Sequence, residues 1–325
     1  MRPLISVVSP VYGCTGCLEA LADAVRAAFD GTELDWELVL VDDRGPDAPW
    51  PVIEDLSARD PRVRGVRLAR NHGQHLAIWA GLDAARGDWV AVIDCDLQDD
   101  PAVIPDLYAK AIADQVEGVV VERGKWSDNR FRRFASDTFY KVFHALSGVR
   151  LKNIGNFGLY SRRMVDVLLM YEEQEVFLPI MVSISGLSTS EMRLDRGDRH
   201  SGESSYSLGR LISLSLAVVI RFSDRPLKIS VVFGLCISFL AAIVSITLFV
   251  GRIVGTFTVP GWTSTVLSMW FLSGLILAVL GVHGFYLGRV FAEVKRRPRL
   301  LVERTTDAGD PDGAALGAPK HAAAE

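Results

Sequence analysis

Trp89-Val90-Ala91-Val92-Ile93 runs without a break into Asp94-Cys95-Asp96-Leu97-Gln98, and the junction of the two decides how the chain is read. The first half predicts a buried strand; the second puts two carboxylates one residue apart at its tip. Such a pair can share one hard divalent cation. Mg2+ and Mn2+ take oxygen ligands and are commonly held by one or two carboxylates with substrate phosphates. Taken alone, the same residues also describe a solvated acidic turn, since Asp99-Asp100-Pro101 follows and Asp-Pro often opens a helix. The flanking chain has to separate the two.

Outward from this strand the pattern alternates. Apolar runs at 4–8, 38–41, Val63–Leu68, 89–93 and 118–121 read as strands, with helical stretches at Leu18–Phe29, 74–85 and 102–113 between several of them. The alternation predicts an α/β fold, a mostly parallel sheet with helices on both faces. Ligands of such sheets sit at the carboxyl ends of the strands. Four polar clusters fall there: 9–12, Asp42-Asp43, 70–75 and 94–98. Their agreement favours a nucleotide site over four ordinary loops. Further on, 129–146 reads as a helix with Arg132, Ser136 and Tyr140 on one face.

The chain has 325 residues, enough for one large α/β domain, and its net charge of −4 argues against a nucleic-acid surface. Its hydrophobic share of 49% is high for a soluble enzyme, and the excess sits in 229–250 and 265–287. At about 1.5 Å per residue each segment spans roughly 33–35 Å, against a hydrocarbon core of about 30 Å. Apolar residues continue around the whole circumference, which suits two membrane spans better than two buried core helices. Arg221, Arg225 and Lys228 precede the pair, and Lys295, Arg296, Arg297 and Arg299 follow it. The loop between holds only Arg252. The positive-inside rule then expects both termini in the cytoplasm and a multi-pass protein of the inner (cytoplasmic) membrane. No signal peptide is expected, because the apolar start is short and meets Ser9-Pro10. Residues 207–222 space their apolar side chains as an amphipathic interfacial helix would, or a core helix of the soluble domain. After Glu303 the Ala-, Gly-, Asp- and Pro-rich tail is expected to be disordered.

Cysteine usage is sparse: Cys14, Cys17, Cys95 and Cys236, with no second pair at zinc-ligand spacing. Cys14-Thr15-Gly16-Cys17 has redox spacing at a strand-to-helix turn. In a reducing compartment, and in a chain unlike thioredoxin in length and order, these read as small helix-start residues.

Ser6-Val7-Val8-Ser9-Pro10-Val11-Tyr12, Val41-Asp42-Asp43, Arg70-Asn71-His72-Gly73-Gln74-His75 and the Asp94–Gln98 stretch resemble the successive motifs of family 2 glycosyltransferases, which have the A-type, Rossmann-like fold. Phe131-Arg132-Arg133-Phe134-Ala135-Ser136, Phe177-Leu178-Pro179-Ile180, Gly202-Glu203-Ser204-Ser205-Tyr206 and Leu287-Gly288-Arg289 narrow the likeness. They resemble the polyprenyl-phosphate glycosyltransferases, most of all the undecaprenyl-phosphate aminoarabinose transferases. The resemblance implies a cytoplasmic glycosyltransferase domain over 1–206, a juxtamembrane helix over 207–225, a two-helix transmembrane hairpin within 226–290, and a basic segment and tail over 291–325. It implies inverting, metal-dependent transfer from a nucleotide sugar, a UDP-sugar favoured, to a polyprenyl phosphate at the cytoplasmic face. The assembly would be a homo-oligomer, a tetramer by family resemblance. Asp43 would contact the base, with Pro10 and Tyr12 lining the same end and Asp42 and Gly73 completing the nucleotide site. Asp94, Asp96 and Gln98 would hold Mg2+ or Mn2+ and, through it, the diphosphate. Arg123, Arg132, Ser136 and Arg199 would receive the acceptor phosphate.

Physical chemistry supports this division. A leaving diphosphate needs a cation to absorb developing charge, and a lipid phosphate needs guanidinium groups that bind it bidentately. A phosphate monoester, with a second pKa of about 6, is already ionised at pH 7 and needs positioning rather than a general base. Three departures stand out. Asn156 takes a catalytic position where relatives carry Asp; it can hydrogen-bond a hydroxyl or phosphate but cannot take a proton. Gly13-Cys14 replaces an Asn-Glu, and Ser205 replaces a Lys. Two other readings remain at this point. A processive polysaccharide synthase would normally carry a Q-x-x-R-W segment, absent here. A catalytically inactive membrane scaffold would not need Asp94, Asp96, Arg132 and Arg199.

Overall fold

The buried runs of the sequence become β1 (Leu4–Val11), β2 (Asp35–Asp42), β3 (Val63–Leu68), β4 (Trp89–Val92) and β5 (Gly118–Arg123). In the computed structural model, which describes residues 2–123, 154–174, 176–194, 225–254, 261–295 and 297–307, they share one eight-stranded sheet with β6 (Ile154–Ser161), β7 (Thr189–Leu194) and β8 (Val302–Thr305). The strand order is β7-β5-β6-β4-β1-β2-β3-β8. β4, β1, β2 and β3 are parallel, as are β5 and β7, while β6 and β8 run against their neighbours. The α/β expectation of a mostly parallel sheet holds, with an antiparallel strand wedged between β4 and β5.

Strands covered on both faces must be apolar throughout, and Ile5, Val7, Val8, Leu38, Val39, Val90 and Ala91 are all inaccessible. On one face lie α1 (Leu18–Phe29), α2 (Trp50–Arg59) and α4 (Ile104–Asp114), against Ile5, Val7, Leu38, Leu40 and Ala91; α3 (Gln74–Ala84) packs on the sheet near Val8 and Val41. α1 buries Leu18, Leu21, Ala22, Val25 and Phe29, the spacing of a single helical stripe. Gly81 lets α3 approach closely, since a Cβ there would come within 2.2 Å of the Val8 side chain. α5 (Arg162–Met170) and α6 (Leu178–Ile184) follow β6.

One expectation is corrected. Arg304–Asp307 do not form part of a disordered tail. Arg304 and Thr305 belong to β8, whose backbone pairs with β3, and Asp307 is anchored on Arg64 and Arg86. Residues 308–325 lie outside the described residues.

A second unit of the chain holds α7 (Arg225–Ile253) and α8 (Trp262–Val294). Among the described residues one stretch, Ser268–Val294 in α8, is long and apolar enough to cross a membrane; none of it is buried. α7 carries a shorter apolar stretch, Ser230–Ala241. The helices expected over 129–146 and 207–222 lie outside the described residues.

Candidate active site

The polar clusters converge because β1 lies between β2 and β4 with all three strands parallel. Their carboxyl ends open on one edge, and there the β1–β2 crossover runs to one side of β1 while the β3–β4 crossover passes to its other side. That is the topological switch point at which open α/β sheets bind ligands. Asp42 and Asp43 close β2 on one side of Pro10 and Tyr12, and Asp94 and Asp96 follow β4 on the other. Pro10 is buried and Tyr12 exposed.

Asp43 is 2% exposed, and its two oxygens accept the backbone N–H groups of His72 at 2.7 Å and Gly73 at 2.9 Å. Burial pushes its pKa up against the pull of those N–H groups. Each oxygen accepts one of these N–H groups, so both ends of the carboxylate are engaged by the loop. Gly73 has φ 89°, a conformation closed to residues with a Cβ, and this lets the loop after β3 bend onto Asp43. Gln74, the first residue of α3, then donates its Nε2 to Asp94 Oδ1 at 2.7 Å. Asp43 thus positions a loop that in turn holds Asp94. Asp42 accepts the Arg44 N–H at 2.8 Å and lies 3.2 Å from Arg67 Nε; burial raises its pKa, and these groups oppose the rise.

Asp96 is exposed and accepts the Gln98 N–H at 3.0 Å across Leu97, which is left-handed at φ 58°. Gln98 is exposed as well. Among the described residues, no group of three or more His, Cys, Asp and Glu side chains is placed to hold a metal. Two carboxylates at a strand tip suit a cation that completes its shell with phosphate oxygens and water, as Mg2+ and Mn2+ do. They suit a structural Zn2+ poorly. The donor set therefore fits the cation that the sequence implied.

Asn156 is half-buried on β6. β6 runs antiparallel to β4, pairing Val92 with Gly158, so Asn156 near the amino end of β6 lies at the same edge of the sheet as the carboxyl end of β4. Arg123 is the last residue of β5. Arg132, Ser136, Arg199 and Ser205 lie outside the described residues. The strand ends thus gather Pro10, Tyr12, Asp42, Asp43, Gly73, Asp94, Asp96, Gln98 and Asn156.

Four features escape a reading of the sequence. Gln74 sits inside the Arg70–His75 motif, at the start of a predicted helix, so its signal is present in the sequence. Asp47 accepts the N–H groups of Gly13 at 3.2 Å and Thr15 at 2.7 Å, and the Thr15 N–H lowers its pKa; no local pattern marks a partner 32 residues away. The reading of Cys14 as only a small helix-start residue is corrected: it pairs in a disulfide with Cys95, Cα atoms 6.5 Å apart, because the parallel β1–β4 pairing brings the loops after the two strands together. Its spacing partner Cys17 is a free thiol. Lastly, the His75 ring packs 4.4 Å from that of Phe177, and burial pushes the His75 pKa down to about 4, leaving it neutral at pH 7. The Phe177-Leu178-Pro179-Ile180 motif is here a packing element, with Leu178, Pro179 and Ile180 buried.

Comparison with known proteins agrees with this geometry. The family described as Glycosyl transferase family 2 matches residues 6–169, which span β1 to β6 and all the strand ends above. The uncharacterized glycosyltransferase YkoT of Bacillus subtilis is 34% identical over 310 residues, 93% of this chain and 92% of that protein. The undecaprenyl-phosphate 4-deoxy-4-formamido-L-arabinose transferase of Aeromonas hydrophila is 32% identical, with 93% of each chain covered. The prophage bactoprenol glucosyl transferase homolog of Escherichia coli K12 is also 32% identical, over 92% of this chain and 98% of that one. With two carboxylates at the tip of β4, a nucleotide-type switch point beside them and these relatives along nearly its whole length, the chain is a glycosyltransferase and belongs to glycosyl transferase family 2.

Proposed function

We propose that the protein transfers a sugar from a nucleotide sugar, a UDP-sugar before a GDP-sugar, to a polyprenyl phosphate at the cytoplasmic membrane face. The observation that carries this reading is the pair Asp94 and Asp96 at the tip of β4, on the other side of β1 from the Asp42-Asp43 turn, with Asp94 held by the Asp43–loop–Gln74 relay. The names of two relatives, for undecaprenyl phosphate and bactoprenol, support a lipid phosphate as acceptor.

Pro10, Tyr12, Asp42, Asp43 and Gly73 would line the nucleoside end. Asp94, Asp96 and Gln98 would hold Mg2+ or Mn2+, which when bound neutralises charge on the leaving diphosphate. Arg123, Arg132, Ser136 and Arg199 would grip the acceptor phosphate, whose oxygen is ionised at pH 7 and attacks the anomeric carbon in line with inversion. Asn156, at the same edge of the sheet as the β4 tip, would orient a sugar hydroxyl or phosphate oxygen without taking a proton.

A membrane hairpin with both termini cytoplasmic is supported by the apolar stretch of α8 and by the path of the chain. β1 to β7 before α7 and β8 after α8 belong to one sheet, and a hairpin whose two ends lie on the same side would suit that continuity. An even number of crossings satisfies this. The assembly would be a homo-oligomer, a tetramer by the family resemblance.

The test is transfer by the purified full chain, given a panel of UDP- and GDP-sugars and short polyprenyl phosphates. Expected are a sugar-lipid product that needs divalent metal and Arg132→Ala and Arg199→Ala variants that lose acceptor affinity far more than donor affinity. Nucleotide-sugar hydrolysis indifferent to lipid phosphate would overturn the acceptor assignment, and no metal-dependent turnover of any donor would leave the scaffold reading standing.

A further inference from the structure

Residues 297–307 are stitched along the edge of the sheet. The Ala69 N–H donates to the Leu301 carbonyl at 2.8 Å, and β8 pairs antiparallel with β3 through Leu68–Val302, Arg67–Arg304 and Val66–Thr305. The register slips between Arg67 and Leu68, which leaves Glu303 as the extra residue of a β-bulge. Bulges re-aim side chains, often beside active sites, and here the Glu303 carboxylate meets the Arg44 guanidinium. Towards the amino end of β3 the fixing is different. Asp307 takes Arg64 in a two-point ion pair of 2.8 and 2.6 Å and Arg86 at 2.8 Å, while Gly65 and Thr306 exchange hydrogen bonds of 2.8 and 3.0 Å. That end lies at the opposite edge of the sheet from the carboxyl ends where the site is built.

Arg44 directly follows Asp42 and Asp43. Its φ of 57° is left-handed, a conformation that a non-glycine residue holds only with local support. The support is visible: its N–H donates to Asp42 at 2.8 Å, its Nε donates to the Leu68 carbonyl at 3.0 Å, and Glu303 takes the end of the guanidinium. The next residue, Gly45, backs onto the β1 loop so closely that a Cβ on it would lie 3.0 Å from the Gly13 nitrogen. A shift of Arg44 therefore moves both the acidic turn and the loop that follows Tyr12.

We infer that residues 297–307 act as a positioning strap for the donor site, in which Glu303, through Arg44, sets the turn that carries Asp42 and Asp43. The inference rests on the nucleotide-sugar reading given above. Glu303 is a positioning residue; the groups that touch the donor are those of the strand ends. The bulge is what gives the strap this role, since a regular ladder would leave no unpaired residue opposite Leu68 to turn towards Arg44.

The test compares the full chain with its Glu303→Gln, Glu303→Asp and Asp307→Asn variants. Glu303→Gln is expected to raise KM for the nucleotide sugar about fivefold with kcat within about twofold, while Glu303→Asp recovers most of the loss, since a charge-assisted contact is removed in one and kept in the other. In the ligand-free protein, Glu303→Gln also speeds hydrogen exchange across residues 42–47. Asp307→Asn lowers the melting temperature but leaves donor KM and that exchange unchanged. Unaltered exchange over 42–47 in Glu303→Gln would overturn the strap. So would a fall in donor KM, which would make Arg44 a donor ligand for which Glu303 competes. Exchange needs no substrate, so a protein inactive on every donor would refute the proposed function while the strap was still judged by exchange.

Discussion

Replacing Asp43 by Asn exchanges one oxygen for an NH2 group and keeps the shape of the side chain. The native carboxylate is almost inaccessible and receives two backbone N–H groups, from His72 at 2.7 Å and Gly73 at 2.9 Å. An Asn can accept one of them; its NH2 then faces the other N–H, donor against donor. One charge-assisted hydrogen bond is lost, worth about 1.5–3 kcal/mol, and the remaining bond becomes a neutral one. Part of this is offset, because burial already disfavours the charged form, as the raised pKa of Asp43 records. The expected net cost is about 2 kcal/mol at pH 7. It falls on the loop that presents Gln74 to Asp94, so donor binding should weaken about tenfold or more, at roughly 1.4 kcal/mol per decade. The assay has two arms on the full chain: chemical denaturation followed by circular dichroism, and donor KM at saturating metal and acceptor. Unchanged stability together with unchanged KM would refute the relay from Asp43 through the loop to Asp94.

Asp96→Ala removes a proposed metal ligand from an exposed turn and no core packing; transfer should be lost at every metal concentration while the melting temperature stays near that of the parent, as activity across a Mn2+ titration would check. His75 has a folded pKa of about 4 against 6.5 for the free side chain, so its contribution is present above pH 6.5 and is lost as pH falls towards 4, by about 3 kcal/mol in all. Denaturation midpoints of His75→Phe should accordingly vary less over that window than those of the parent, and parallel profiles would contradict the burial argument. The Cys14–Cys95 disulfide closes a separation of 81 residues, and on the chain-entropy account reduction should cost about 4.5 kcal/mol of stability. A reductant should lower the denaturation midpoint of the parent and leave that of a Cys14→Ser/Cys95→Ser variant unmoved.

The parts of the fold that were legible in the sequence are those whose signal is local. β3 (Val63–Leu68) and α1 (Leu18–Phe29) were read at their observed bounds, one from an unbroken apolar run and the other from a single stripe of 3.6-residue period. The acidic strand tips were legible for the same reason: each cluster directly follows a run that has to be buried. Where the reading failed, the deciding partner lies far along the chain. β6 carries Gly155 and Gly158, which look like loop residues until β4 and β5 close on either side. Cys14 drew attention towards Cys17, three residues on, whereas the parallel crossover brings Cys95 to it from the neighbouring strand.

The strap is the clearest case of a long-range decision, because Val302-Glu303-Arg304-Thr305 is short and stands between a basic stretch and an Ala- and Gly-rich tail. It becomes a strand because β3 offers an open edge, and an unpaired edge is a liability that a folded domain covers. That changes how membrane anchoring can be dissected. Ending the chain at Arg225 would remove α7 and α8 but also β8, both partners of Arg44 and Arg64 on the strap, and the cover over β3. Poor use of a membrane-borne acceptor by such a fragment would then report a damaged donor site as readily as a missing anchor. Only a protein in which a soluble linker replaces α7 and α8 and residues 297–307 are kept separates the two causes. With the strap retained, donor binding belongs to the sheet alone, and whatever loss remains on long polyprenyl phosphate is owed to the missing helices.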